Sequence, residues 1–526
     1  MICPASPEST PPAPSEGASA PETADSPGGC PRPIASRPYG RPFWMAYVSN
    51  TLVMVGVALL YRYADFITYL GGAEFHLGWI VGIGMVGSVV MRLSLGTGID
   101  RYGPRLIWLG SLVLLAAVCW AHLAIARYDG LWIYLLRILY CTAAAGVFGA
   151  STTFIAGGAG GPRMAELIGM LGTSGFLGMM LGTNLGDFIC GAESLQRWHV
   201  DWMFLAAGLL AAAAVPFAWL STRGLTRPEH YRRPSLVRVV RRYQPGMVLL
   251  VGVATGVALV LPTTFLRTFA AELDIPRIGL FFSVVAVTAF STRVLTRRLP
   301  ARIGLPAMIL IGLGVMAAAQ LLFLPVRSEW QLVIPGLAHG VAQAILYPMG
   351  TAAGSSRFPV RYRGLGTTLV LATLDVGQLI GAPAAGVILH ASDWLGLAGY
   401  ATLYLVMAAV LAMAAGLYAA TLRAEPARSA AEPEIAQRPL ARVWGLGSRR
   451  RLAIGLSADG NQLHGVGQQQ RVGDEDAAGL RFESGVAEVD LDDGPLEGED
   501  ADRVAPLEGL VDQDQHTGQG VGDNLL

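Results

Sequence analysis

Long apolar runs separated by short links constrain this chain more than any other feature of it. The runs fall roughly at 43–68, 76–95, 106–125, 131–156, 165–190, 202–221, 246–267, 277–296, 305–325, 331–352, 364–389 and 396–421. A helix needs about 20 apolar residues to cross the hydrocarbon core of a bilayer, and inside that core each backbone polar group must be satisfied within the helix. Most of the runs are apolar all round, as bundle and lipid-facing helices are. Many are interrupted by Gly and Ala, which let helix backbones approach where lipid supplies no hydrophobic drive between them. The chain is 53% hydrophobic and 14% charged, whereas soluble domains carry about 25% charged residues. Mean hydropathy is +0.47. The expectation is an all-α integral membrane protein with twelve spans.

The links alternate in charge. One set holds Arg101 and Arg105, then Arg163, then the seven arginines from Arg223 to Arg242, then Arg297, Arg298 and Arg302, then Arg357, Arg361 and Arg363. The opposite set is balanced or acidic: Glu74, Arg127 with Asp129, Glu193 with Arg197, Glu272 with Asp274, Arg327 with Glu329, and Asp393. Cytoplasmic links carry the excess of basic residues. The first set is therefore expected in the cytoplasm, together with both termini, in a multi-pass plasma (inner) membrane protein. The chain has no lysine, which reads as coding bias rather than function. Cys3, Cys30, Cys119, Cys141 and Cys190 show no C-x-x-C spacing, so neither a disulfide framework nor a metal site is expected.

Between the second and third runs lies Gly96-Thr97-Gly98-Ile99-Asp100-Arg101-Tyr102-Gly103-Pro104-Arg105. Gly96 and Gly103 permit tight backbone contact, and Asp100 can cap a helix or pair with an arginine. This stretch resembles the G-x-x-x-D-R-x-G-x-R loop between helices 2 and 3 of the major facilitator superfamily of transporters. The resemblance implies two six-helix halves around a central cavity. It also implies that Gly96, Asp100, Arg101, Gly103 and Arg105 gate the rocking of one half against the other. The plainer reading is a basic turn that sets topology, with a helix cap.

The remaining organisation fits two halves. Residues 1–42 read as a disordered cytoplasmic tail without the apolar centre of a cleavable signal. Residues 43–221 are the N-terminal half, 222–245 a basic cytoplasmic linker, and 246–423 the C-terminal half. Residues 424–526 are rich in Gly, Asp, Glu and Gln; they read either as a disordered acidic tail or as a misread frame. A shift of 201 positions lays Arg92 on Arg293, Arg101 on Arg302 and Gly103 on Gly304, with Ala301 where Asp100 would fall. A weaker echo relates Gly178-x-x-x-Gly182 to Gly377-x-x-x-Gly381.

Polar residues inside the runs are the candidate sites, because intramembrane charge is costly and usually functional. Arg62 and Asp65 are three apart on one helix face, either an ion pair lining the cavity or an interfacial anchor. Arg137 resembles the arginine of the superfamily's helix-4 motif, although Cys141 stands where glycine is common; the other reading is an arginine that snorkels to the nearby interface. In the fifth run Gly169, Gly178, Gly182 and Gly186 resemble the helix-5 motif of drug–proton antiporters, with Thr183 in place of its proline and Asp187 in place of its last glycine. Asn184 and Asp187 share a face there. His339 and Gln343 lie four apart in the tenth run with Tyr347 beyond them, and Asp375 and Gln378 lie three apart in the eleventh. Each set could line a cavity or join helices within one half. Arg267 is expected to snorkel.

No phosphate-cradling loop with lysine, nucleophile motif or metal cluster stands in the sequence, so neither an enzyme nor an ATP-driven pump is expected, nor any cofactor. The expected function is secondary transport of a small organic solute by alternating access, coupled to protons through Asp65, Asp187 or Asp375. Export is marginally favoured on the helix-5 spacing. Uptake of a metabolite or sugar, and a non-transporting sensor acting through its C-terminal tail, are the alternatives. The expected partners are a small-molecule substrate, protons and the lipid bilayer, not nucleic acid.

Overall fold

The computed structural model describes residues 39–157, 162–191, 195–224, 242–243, 246–359 and 363–431, apart from the side chains of Thr97, Asp100, 162–165, Arg363 and 424–431. The expected N-terminal tail up to residue 38, most of the basic linker, the C-terminal stretch beyond 431 and the contacts of Asp100 lie outside the described residues.

The described chain is helical, and twelve long helices follow the twelve apolar runs. We label them α1 (Arg41–Tyr69), α2 (Glu74–Gly96), α3 (Arg101–Ala124), α4 (Leu131–Gly157), α5 (Pro162–Cys190), α6 (Arg197–Ser221), α7 (Val248–Glu272), α8 (Gly279–Thr296), α9 (Leu305–Leu321), α10 (Glu329–Ser356), α11 (Gly364–Leu395) and α12 (Gly399–Arg423). Ten of these, among the described residues, are long and apolar enough to cross a membrane. The other two are α9, which is short, and α5, whose Thr173, Ser174, Thr183, Asn184 and Asp187 dilute its hydropathy.

The helices form two halves. In the first, α1 packs on α5 and α6, and the α2–α3 pair packs on α4 and α6. In the second, α7 packs on α11, α8 on α10, and α9 on α10 and α12. The halves meet along two antiparallel seams, α2 against α11 and α5 against α8. The first seam is tight because glycine lets it be: a Cβ on Gly78 would lie 2.5 Å from the Ala382 carbonyl oxygen.

Irregularities recur at equivalent places in the two halves. Leu60–Arg62 is a 3₁₀ turn within α1, and Leu261–Phe265 is a π turn within α7, at Pro262. Gly103 (φ 79°, ψ 156°) and Gly304 (φ 84°, ψ 159°) adopt the same positive-φ backbone. The turn between α2 and α3 is correspondingly shorter than the sequence suggests. Helical hydrogen bonding continues through the Asp100-Arg101 segment, and the chain reverses at Gly103 alone. Glycine reaches that conformation without a Cβ penalty, and Pro104 then sits where a helix start tolerates it.

Candidate functional site

Two ionic clusters bridge the seams, one toward each end of the bundle. At the end opposite the arginine-rich links, the 3₁₀ turn in α1 places Arg62 with its side chain only 2% exposed. Its NH1 lies 3.1 Å from Asp65 Oδ2, its Nε donates to Asp187 Oδ1 on α5 at 3.2 Å, and its NH2 donates to the Pro276 carbonyl at 2.8 Å. Asp187 Oδ2 in turn accepts the backbone N–H of Gly279 at the start of α8, at 2.6 Å. Arg267 of α7 completes the set, its Nε 2.8 Å from Asp65 Oδ1. The snorkelling expectation for Arg267 is therefore corrected: a carboxylate within reach on α1 outcompetes the interface. Asn184 adds a further link, donating to Ser283 Oγ on α8 at 2.8 Å. The Tyr61 and Phe282 rings meet across the same seam with centroids 5.0 Å apart.

This cluster holds two guanidinium groups and two carboxylates, so it is neutral as a unit. A buried ion pair is retained only where charges balance and remaining donors and acceptors are used; removing one member typically costs about 3–5 kcal/mol. Four of its links, Arg62–Pro276, Asp65–Arg267, Asp187–Gly279 and Asn184–Ser283, run from the first half to the second. Parting the halves at this end must break them together.

The second cluster lies toward the arginine-rich end of the other seam. Asp375 of α11 is 4% exposed. Its carboxylate accepts the Ser88 hydroxyl of α2 at 2.5 Å and is ion-paired with Arg92 one turn further along α2. Gln378 stands half-buried on the next turn of α11. The sequence marks Asp375 as a candidate but does not show that Arg92 is its partner. The available signal was the 201-residue repeat, which marks Arg92 and Arg293 as equivalent intramembrane arginines.

The other candidates are not joined to these clusters by any hydrogen bond or ion pair given for the described residues. Arg137 of α4 is 8% exposed and does not snorkel. Its guanidinium lies over the rings of Tyr63, 4.4 Å from the centroid, and Tyr140, at 4.9 Å, with its stem against Gly84 of α2. Neutral aromatic faces thus stand where a carboxylate partner is the usual solution. His339 is buried with Nδ1 unpartnered among the described residues, 5.9 Å from the Phe281 ring, and the Oε1 of Gln343 is likewise unpartnered. These two groups and the exposed Tyr347 lie at four-residue spacing on α10, and Gly340, next to His339, packs on Thr288 of α8. In the α2–α3 turn, Gly96 and Arg101 are exposed, Arg105 is half-buried, and the Arg101 guanidinium lies 5.2 Å from the Tyr102 ring centroid.

Comparison with known proteins agrees with this architecture. The family model described as Major Facilitator Superfamily matches residues 43–306 and again 246–458. Among solved structures, the nucleoside transporter NupG superposes with TM-score 0.59 at 13% identity, over 73% of this chain and 98% of that one. A D-xylose–proton symporter superposes with TM-score 0.58 at 15% identity, over 72% and 96%. A bacterial homologue of the human lysosomal transporter Spinster, inward-facing and occupied, gives TM-score 0.58 at 15% identity, over 74% and 98%. At such identities the likeness concerns the fold. No curated protein sequence matches the chain.

Proposed function

The chain belongs to the Major Facilitator Superfamily, and on that footing we propose that it moves a small organic solute by alternating access, with proton binding at Asp375 coupled to the opening of the α2–α11 seam. It is a multi-pass membrane transporter of the secondary kind, not an enzyme. Coupling, direction and substrate are our reading.

The observation that carries the proposal is the placement of the two clusters. Each joins one half to the other, and they lie toward opposite ends of the bundle on different helices. In alternating access one must part while the other holds. Asp375 is suited to the coupling role. Charged, it holds Arg92 and keeps the seam closed. Protonated, it keeps the Ser88 hydrogen bond but no longer balances the guanidinium, so Arg92 is released and the seam loosens. The proton lost to the other side restores the pair. The Arg62–Asp65–Asp187–Arg267 set is the gate at the opposite end. It holds equal numbers of both signs.

The helix-5 glycines favour export. Gly178 and Gly182 lie against α1 at Met54 and Val55, the close packing that the antiporter-like spacing implies. Transporters of similar fold are named for a nucleoside and for D-xylose with protons, which supports a small organic solute without choosing one. The alternation of loop charge supports the arginine-rich end, and both termini, on the cytoplasmic side of the inner membrane. Reporter fusions after residue 129 and after residue 235 should then read outside and inside respectively; one compartment for both defeats the orientation.

The functional test is a stabilisation screen of purified protein across metabolites and drugs, followed by flux of the hits into proteoliposomes with an imposed pH gradient. Flux that follows the gradient and collapses with a protonophore is expected. Flux indifferent to the gradient removes proton coupling.

A further inference from the structure

The internal repeat pairs more than glycines. The shift that lays Arg92 on Arg293 has a companion in α5 and α11, where Gly178 and Gly182 correspond to Gly377 and Gly381. The packing bears this out: Gly178 and Gly182 lie on α1 at Met54 and Val55, and Gly377 and Gly381 lie on α7 at Val253 and Val257. In that register Phe176 of α5 corresponds to Asp375 of α11. The two seams are thus built alike, with an arginine on α2 or α8 facing one residue of α11 or α5. On the α2–α11 seam the arginine meets a carboxylate. On the α5–α8 seam Arg293 meets a benzene ring, with its guanidinium carbon 4.6 Å from the Phe176 centroid.

Arg293 is therefore a guanidinium without a counterion among the described residues. Its Nε is buried and has no hydrogen-bond partner there. A ring face offsets part of the cost of holding a guanidinium out of water, but a planar fork of N–H donors is left unused. Beside that fork Gly172 presents backbone only: a Cβ there would stand 3.5 Å from NH1, in ordinary van der Waals contact. Cation and vacant donors occur together between α5 and α8.

We propose that Arg293 binds the carboxylate group of an organic anion, which supplies on this seam the charge that Asp375 supplies on the other. A bidentate carboxylate fits the guanidinium fork. A monoanion balances the single positive charge, whereas a phosphate dianion would leave an uncompensated one in a poorly hydrated place. Bound there, the anion ties α5 to α8 as Asp375 ties α11 to α2. This names the substrate class of the carrier proposed above and rests on that reading.

The test uses the full chain, purified in detergent, with thermal stability as the readout at constant ionic strength. Sodium benzoate and sodium butyrate, both monoanions, should each raise the melting temperature, and benzamide, which lacks the charge, should not. Inorganic phosphate is the second arm, expected to stabilise less than the carboxylates. Arg293→Gln should raise the half-saturating carboxylate concentration about thirtyfold or more, as loss of a desolvated charge partner does. Phe176→Asp places a carboxylate where the repeat has one. It should raise the melting temperature without added anion, lose the response to carboxylates, and lose its gain when combined with Arg293→Gln. Carboxylates that stabilise wild type and Arg293→Gln equally overturn the proposal, as does a Phe176→Asp effect independent of Arg293 or a lack of any carboxylate response in wild type. Failure of the carrier reading looks different: Arg293-dependent stabilisation would persist while proteoliposomes show no flux of the bound anion.

Discussion

Arg92 of α2 and Asp375 of α11 form an ion pair between the two halves of the bundle, with the Ser88 hydroxyl donating to the same carboxylate at 2.5 Å. The three groups come from two helices that share no loop, and Asp375 is nearly inaccessible. Parting the α2–α11 seam must break this pair and the Ser88 hydrogen bond together.

Asp375→Asn separates charge from shape. The amide keeps the volume and still accepts from Ser88, but it cannot titrate. We expect proton-driven flux in proteoliposomes to be lost, while expression and exchange in the absence of a gradient persist. Ser88→Ala, which removes one hydrogen bond and no charge, should cost far less, of the order of 1 kcal/mol in stability. Gradient-driven flux at the wild-type rate in Asp375→Asn takes this residue out of the proton path.

The opposite cluster predicts a change in access. Asp187→Asn removes one of the two carboxylates that balance Arg62 and Arg267. Breaking a buried pair costs about 3–5 kcal/mol, and the structure avoids that cost by parting at this end and hydrating the guanidinium. Cys190, buried at the end of the same helix, reports it. In a protein retaining Cys190 as its one cysteine, a membrane-impermeant thiol reagent applied from the Asp129 side should label Asp187→Asn at least about tenfold faster than the parent, since each 1.4 kcal/mol is a factor of ten. Equal rates mean that the cluster does not hold this end shut.

How far these features were legible in the sequence differs by kind. The helices were, because spanning a bilayer imposes length and apolarity that cannot be hidden, and even α5, whose polar residues lower its hydropathy, was visible as a run bounded by links. Arg62, Asp65 and Asp187 were visible as intramembrane charges. Their assembly was not: the bond from Asp187 to Gly279 joins residues 92 positions apart, and nothing local encodes it. Arg267 was misread because proximity to a helix end favours snorkelling unless a partner waits inside, and the partner, Asp65, lies in the other half. Arg137 reads in the sequence as a helix-4 motif arginine or a snorkelling one, and its guanidinium lies over two tyrosine rings, a solution that charge patterning cannot reveal. The pairing of Arg92 could have been inferred from the repeat, had Arg293 and its aromatic neighbour been set beside it.

The repeated reversal gives a last prediction, on the motif from Gly96 to Arg105. Gly103 and Gly304 both hold φ near +80° with ψ near +156°, a region that is essentially closed to residues with a Cβ and costs about 1–3 kcal/mol to enter. Around Gly304 the nearest heavy atom to an added Cβ would be 3.7 Å away, so the penalty there is backbone strain rather than collision. Gly103→Ala and Gly304→Ala should therefore each lower the melting temperature by a few degrees, the effects adding in the double variant because the sites share no contact. Gly96 provides the contrast. It is helical, exposed and has nothing within 4 Å of an added Cβ, so Gly96→Ala should be neutral or slightly stabilising through helix propensity. If flux nevertheless falls in Gly96→Ala at unchanged stability, Gly96 needs its bare backbone for a contact made in another state of the carrier, and the motif gates through that surface. If Gly96→Ala instead unfolds the protein as readily as Gly103→Ala, the reversal is not confined to Gly103 and the helical course of the chain from Gly96 to Tyr102 is wrong.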